Sequence, residues 1–307
     1  MRSSSVSVVT TSFGTSSRFL AALLAAIWFL WPAGVGAQQG AKPAKKSEEL
    51  KHETLNPKDF VNPTVIDNKW MPMKPGTRWT YEGTTVEDDG KVVPHKIVIN
   101  ITDMTKVIAG VRTVVSYDLD YSDNELVEAE LAFFAQAKDG TVWHFGQYPE
   151  EYDEGKFVKA PTWIPGIQGA RAGIMMKADP KLGTPSYSQG YGPAVKWSDR
   201  GQVFKMGEKT TTRSGSYENV LVIKETSREE GPDAYQLKYF AAGVGNVRVG
   251  WGGTKEKSKE VLELVKVEQL SAAELAEVRK KVLDLEKSAY RRSKNVYAKT
   301  TPMEPAK

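Results

Sequence analysis

The chain contains no cysteine. That excludes disulfides, a thiol nucleophile, thiolate metal ligands and the acylated cysteine of a bacterial lipoprotein, so stability must come from core burial. Histidine is scarce too, with only His52, His95 and His144. There is no His-Glu-x-x-His pair, Gly-x-Ser-x-Gly elbow, Walker loop or dinucleotide glycine fingerprint. No catalytic residue, metal ligand or cofactor site is therefore expected. Excess charge is missing as well: the net formal charge is +4, and removing Arg2 and Arg18 would leave +2. Such a balance argues against nucleic acid or an anionic membrane surface as partner.

Long apolar runs are absent with one exception, the thirteen residues Phe19–Trp31. Arg2 and Arg18 precede the run and Pro-Ala-Gly-Val-Gly-Ala follows it, the layout of a signal peptide over 1–37 cleaved after Ala37. A membrane anchor would need about 20 apolar residues. The expected location is periplasmic or secreted, with no integral membrane anchor after cleavage. Residues 38–59 read as a flexible leader, because 38–52 are polar and rich in Lys, Ala and Gly.

What is present is strand patterning. Leu126–Gly146 reads as a hairpin with a type I′ turn at Asp139-Gly140, since both central residues of that turn need positive φ. That register places Phe134 opposite Phe145, Gln136 opposite Trp143 and Ala135 opposite His144. Aromatic bulk then lies on both faces, as expected of a central hairpin covered on both sides. Upstream, Arg78–Thr85, His95–Thr102 and Val111–Asp120 read as strands. Downstream, Gly201–Thr212, Tyr217–Thr226, Ala234–Ala241, Asn246–Trp251 and Glu260–Gln269 do so. Between 148 and 199 six prolines and many glycines break the pattern, yet Trp163, Ile164, Met175, Met176, Tyr191 and Trp197 need burial. An ordered loop covering the sheet is the expectation there. Ser271 and Glu274 form a capping box ahead of an apolar stripe at Leu275, Val278, Val282, Leu285 and Ala289. This helix, 270–294, either packs on the sheet or grips a protein partner. Residues 295–307 read as a disordered tail. The fold class is thus mainly β: a curved antiparallel sheet, meander or half-barrel, over 60–269, with a long Pro/Gly-rich loop and one C-terminal helix.

Candidate chemistry is sparse. Asp118, Asp120, Asp123 and Asn124 miss the EF-hand spacing, because Asp123 stands where Gly is needed and Ala129 where a bidentate Glu belongs. They read as acids on an exposed strand face. Glu150, Glu151, Asp153 and Glu154 read as a solvated loop, and His144 as a histidine satisfied by a hydrogen bond. A hydrolase would use carboxylates such as Glu128, Glu130 or Asp179.

Several stretches resemble a group of exported bacterial proteins of unknown function. These are NKWMPMKPGTRWTYEG (68–83), FFAQAKDGTVWHFG (133–146), GIQGARAGIMMKADPKLG (166–183), GSYENVLVIKET (215–226) and YFAAGVGNVRV (239–249). The resemblance spans roughly 60–268 and implies an extracytoplasmic β-rich domain, similar in fold to curved-sheet lipoprotein-carrier-like domains, with no activity to carry over. Ala132, Ala137 and Ile164 stand where that pattern leads one to expect acids. The expected function is non-enzymatic binding of a small apolar or sugar-like ligand, with Trp143, Phe145, Trp163, Met175, Met176 and Tyr191 lining the cleft. The rivals are an assembly partner docking through the C-terminal helix and a carboxylate-dependent hydrolase.

Overall fold

The computed structural model describes residues 51–87, 89–229, 231 and 233–306. The expected signal peptide and residues 38–50 of the leader lie outside them. The chain forms two antiparallel meanders. The first runs through β1 (Thr77–Val86), β2 (Val92–Ile108), β3 (Val111–Ser122), β4 (Glu125–Gln136) and β5 (Val142–Asp153). Four short strands follow: β6 (Lys156–Lys159), β7 (Arg171–Met176), β8 (Tyr187–Ser188) and β9 (Gly190–Tyr191). The second meander is β10 (Arg200–Thr212), β11 (Gly215–Thr226), β12 (Tyr235–Ala241), β13 (Gly245–Gly252) and β14 (Val261–Gln269). Helix α1 (Ala272–Arg292) and β15 (Glu304–Pro305) close the chain.

The β1–β14 pair joins the meanders into one open antiparallel sheet, ordered β8-β10-β11-β12-β13-β14-β1-β2-β3-β4-β5-β7-β9. This is the mainly β, curved-sheet class that the strand patterning predicts. Its two ends, β8 and β9, are separated in the chain by Gln189 alone, so the sheet must curl back on itself. Trp163 packs against that staple. A Cβ on Gly190 or Gly192 would collide with the Trp163 ring, which is why glycine stands at both positions.

Alternation divides the side chains between two covered faces. On the outer face Tyr117, Leu119, Ala129, Leu131 and Phe133 pack beneath α1, which contributes Val278, Val282, Leu285 and Ala289. The apolar stripe of the helix is thus spent on its own sheet, at about 1.5–3 kcal/mol for each large side chain fully buried. Its capping box is formed, with Ser271 Oγ accepting from Glu274 N and Ser271 N donating to Glu274 Oε2. On the inner face Tyr81, Ile97, Ile99, Ile101, Leu221, Ile223 and Val249 fill one end of the curl.

Three expectations are corrected. First, the central hairpin turns through three residues, with Ala137 N donating to Thr141 O and Gly140 N to Ala137 O, both at 2.9 Å. Only Gly140 takes positive φ, +89°, because the Asp139 carboxylate accepts from Thr141 N instead of sitting in a left-handed pair. The register near the turn therefore slips by one: Gln136 faces Val142, Ala135 faces Trp143, and Phe134 stacks on His144 with ring centroids 4.9 Å apart. An extra residue at Phe145-Gly146, opposite Phe133, then restores the predicted offset, so that Ala132 faces Gln147.

Second, residues 295–306 are packed and not frayed. Tyr297 is fully buried, Met303 is buried, and β15 pairs with β2. Third, the two acidic stretches are solvated only at their turns, where Asn124 and Glu154 are exposed. Strand β5 continues through Asp153. Glu150 is buried, where it accepts from Tyr148 Oη at 2.5 Å, Tyr152 Oη at 2.7 Å and Arg292 at 3.2 Å. Asp118 and Asp120 point to the inner face, because Tyr117 and Leu119 claim the outer one.

Candidate functional site

The apolar inner core fills one end of the curl, and the other end is open. A cavity of about 380 Å³ lies there between β4–β5 on one side and β11–β12 on the other. These strands are far apart in the sheet order, so the cavity exists only because the sheet curves. Segment 195–199 and residues 256–258 complete its walls. The lining is polar: Glu128, Gln147, Glu151, Glu225 and Gln236 alternate inward from their strands, and the Trp197 ring supplies the large aromatic surface.

Register explains how the carboxylates meet. On β3 and β4, Asp118 sits opposite Glu130 and Asp120 opposite Glu128, while Glu151 of β5 flanks Glu128 from the other side. Glu128 and Glu130, two residues apart, share a hydrogen bond. Burial raises Glu128 to about 8, with help from the like charges of Asp120, Glu151 and Asp118. Burial also pushes Asp118 up to about 7 against the opposing effect of Ser116 Oγ, which donates to it at 2.5 Å, and holds Glu130 well above the carboxylate range. Several of these groups thus keep protons near neutral pH.

Countercharge is present but committed. His95, buried on β2, contacts Asp120 Oδ1 at 2.6 Å through Nε2 and Glu260 Oε1 at 3.2 Å through Nδ1. Burial alone would lower its pKa, but the two carboxylates lift it to about 10, so it is an imidazolium at neutral pH. Burial raises Glu260 in isolation, yet His95, Lys238 and Gln236 together hold it below its usual value. Lys238 Nζ pairs with Glu225 at 3.2 Å, and Lys159 with Glu151 at 3.1 Å. Among the described residues, no three His, Asp or Glu side chains converge closely enough to hold a metal ion.

The six aromatic and methionine positions singled out from the sequence do not share this lining. Phe145 is fully buried beneath the helix, and half-buried Trp143 packs on the same cluster. Met176 is fully buried in the inner core, with Met175 against it. Trp163 is buried directly behind Trp197, their rings stacked at 4.7 Å. Tyr191 lies on the β9 staple, 4.6 Å from the His52 ring. His144, buried between Phe134, Trp163 and Trp197, is held neutral, its pKa lowered to about 4 by burial. Of the hydrolase candidates, Glu128 and Glu130 come together, whereas Asp179 is exposed elsewhere and pairs with Lys181 at 2.7 Å. Gln147, Trp197, Glu225 and Gln236 were not predicted. The readable signal for Glu225 and Gln236 was inward alternation on two strands correctly placed in sequence.

No protein-family model matches the chain, and no curated protein matches it. Two solved structures are similar in part. One is a protein described as exported, with a YmcC-like fold, from Bacteroides fragilis NCTC 9343, at 14% identity and a TM-score of 0.37, covering 66% of this chain and 99% of that one. The other, described as a lipoprotein from Parabacteroides distasonis ATCC 8503, shares 11% identity at a TM-score of 0.37, covering 66% of this chain and all of its own. At that level of superposition neither bears on the chemistry of the cavity.

Proposed function

We propose that this chain is an exported binding domain that holds a small polar ligand inside its curved sheet. Export is the reading of the N-terminal sequence. The binding reading is carried by one observation: a cavity of about 380 Å³, within the size range of small-molecule sites, walled by carboxylates, carboxamides and one tryptophan ring. That lining suits hydrogen-bonding ligands, sugar-like ones included. Native mass spectrometry of the chain purified from its own periplasm tests it. The expected result is a retained added mass that disappears in Ser227→Trp, which fills the rim of the cavity. An added mass that survives Ser227→Trp would place the ligand elsewhere and refute the reading.

A second reading, a carboxylate-dependent hydrolase, is favoured by the pairing of Glu128 with Glu130. An acid held at about 8 on a cavity wall can donate a proton at neutral pH. Turnover of a glycoside panel that is lost in Glu128→Gln would support it, and retained turnover would sink it.

A further inference from the structure

We propose that the ligand of this cavity is a small organic cation that carries ammonium or guanidinium groups at more than one point along its length. This rests on the binding reading above and narrows it. Six carboxylates line the cavity (Glu128, Glu151, Asp199, Glu225, Glu229 and Glu256) against two ammonium groups, Lys159 and Lys196. Glu151 and Glu225 are matched by Lys159 and Lys238. Glu128 has no cationic partner. Nor has Glu256, 6% exposed, whose Oε1 accepts only from Ser258 N at 3.2 Å and Ser258 Oγ at 2.8 Å. The imidazolium that might have neutralised the wall, His95, is already held by Asp120 and Glu260. Recessed carboxylates without countercharge are costly, and the cost is removed by a proton or by a cation brought in from outside.

Behind the lining, Gln189, 2% exposed, donates from Nε2 to Glu225 Oε1 at 2.6 Å, so Glu225 is satisfied by the protein itself and the unmatched wall acids are Glu128 and Glu256. The Trp197 ring adds a face on which a cation can rest. The carboxylates are spread over β4, β5, β11 and three loops, with no three close enough to chelate one metal ion. An elongated molecule with separated positive groups matches that spacing, as a single compact ion does not.

Isothermal titration of the full exported chain with spermidine, arginine and maltose, at low and at physiological salt, tests the proposal. Spermidine or arginine is expected to bind one per chain and to weaken as salt rises. Glu128→Gln and Glu256→Gln should each weaken that binding by about tenfold or more. Glu154→Gln, on the exposed β5–β6 turn, should leave it unchanged. Thermal melts of each variant show that it folds. Maltose binding, blocked by Ser227→Trp, with no response to either cation would overturn the ligand class and leave the binding reading standing. No response to any of the three would overturn both. Cation binding that is unaltered in the Glu128→Gln/Glu256→Gln double variant would mark surface screening and overturn the proposal.

Discussion

Replacing Glu286 with alanine should lower stability by about 3–5 kcal/mol, a cost set by what lies beneath α1. Lys106, on β2, is fully buried, and its ammonium donates to Glu286 Oε1 at 2.9 Å and to Thr301 O at 2.6 Å. The Tyr297 ring sits 4.3 Å from the same nitrogen. Glu286 in turn accepts from Tyr297 Oη at 3.2 Å and Met303 N at 3.0 Å, so it ties helix, tail and sheet together. Without it, Lys106 must stay charged without its counterion or shed its proton, and burial already lowers its pKa in the intact protein. At about 2–4 °C per kcal/mol for a domain of this size, the melting temperature should fall by about 6–20 °C. The loss should shrink as pH rises, because folding then no longer has to strip the proton from Lys106. Replacing both partners, Lys106→Met with Glu286→Leu, should recover the part due to the stranded ammonium but not the part due to Tyr297 Oη and Met303 N, which stay without an acceptor. Chemical denaturation of the wild type and both variants at two pH values is the assay. A loss below about 1 kcal/mol in Glu286→Ala, or no recovery in the double variant, would refute the reasoning.

Gly146→Ala should destabilise by about 2–4 kcal/mol, since φ there is +100° and a Cβ would collide with the Trp163 carbonyl oxygen; denaturant unfolding measures it. Stability should rise as pH falls from about 8 to 6.5. Glu128 and Asp118 have folded pKa values near 8 and 7, above their ordinary 4.5 and 3.8, so the folded state binds more protons than the unfolded chain in that window. The groups facing Glu128 are Asp118, Asp120, Glu130 and Glu151, all acids, so none reverses the sign. Below 6.5 His144 opposes the trend, because its folded pKa of about 4 lies under its ordinary 6.5 and the gain fades. A melting temperature that drops between pH 8 and 6.5 would contradict this assignment. Glu128→Gln should reduce the pH dependence without abolishing it, because Asp118 and His95, with folded values of about 7 and 10, keep the same sign in that window.

Much of the architecture was legible because it rests on local patterns. The capping box at Ser271, the stripe from Val278 to Ala289 and the strands of both meanders are short-range signals, and each forms where the residues indicate. The hairpin register was not, since Asp139-Gly140 suits either a two-residue or a three-residue turn and the Asp139 carboxylate decides between them by capping Thr141. The tail was misread for a related reason. Its polar composition resembles a frayed end, but Tyr297 and Met303 are claimed by Glu286, buried in an ion pair with Lys106, which lies far away in sequence.

The cavity was hidden by an assumption about faces. In a sheet with one wet side, acids alternating with Tyr117 and Leu119 must face water, and Asp118 and Asp120 were read so, while Glu128 and Glu130 were noted only as candidate hydrolase acids. Here a helix covers the apolar side, so the apolar residues take the outer face and the acids are driven inward. The clue was in the chain: an amphipathic helix needs a surface, and Tyr117, Leu119, Ala129, Leu131 and Phe133 offer one on the strands that carry those acids. Once the helix is seated across β2 and β4, with Tyr117 and Leu119 of β3 in the same apolar cluster, the inner face of β3 and β4 must be acidic, and a sheet stapled end to end by Tyr187–Tyr191 must enclose it. An enclosed row of carboxylates costs stability unless something positive meets it. The pH trend and the cation titration therefore examine one claim from two sides: protons and ligand compete for the same charges, so spermidine should bind more tightly at pH 8 than at 6.5.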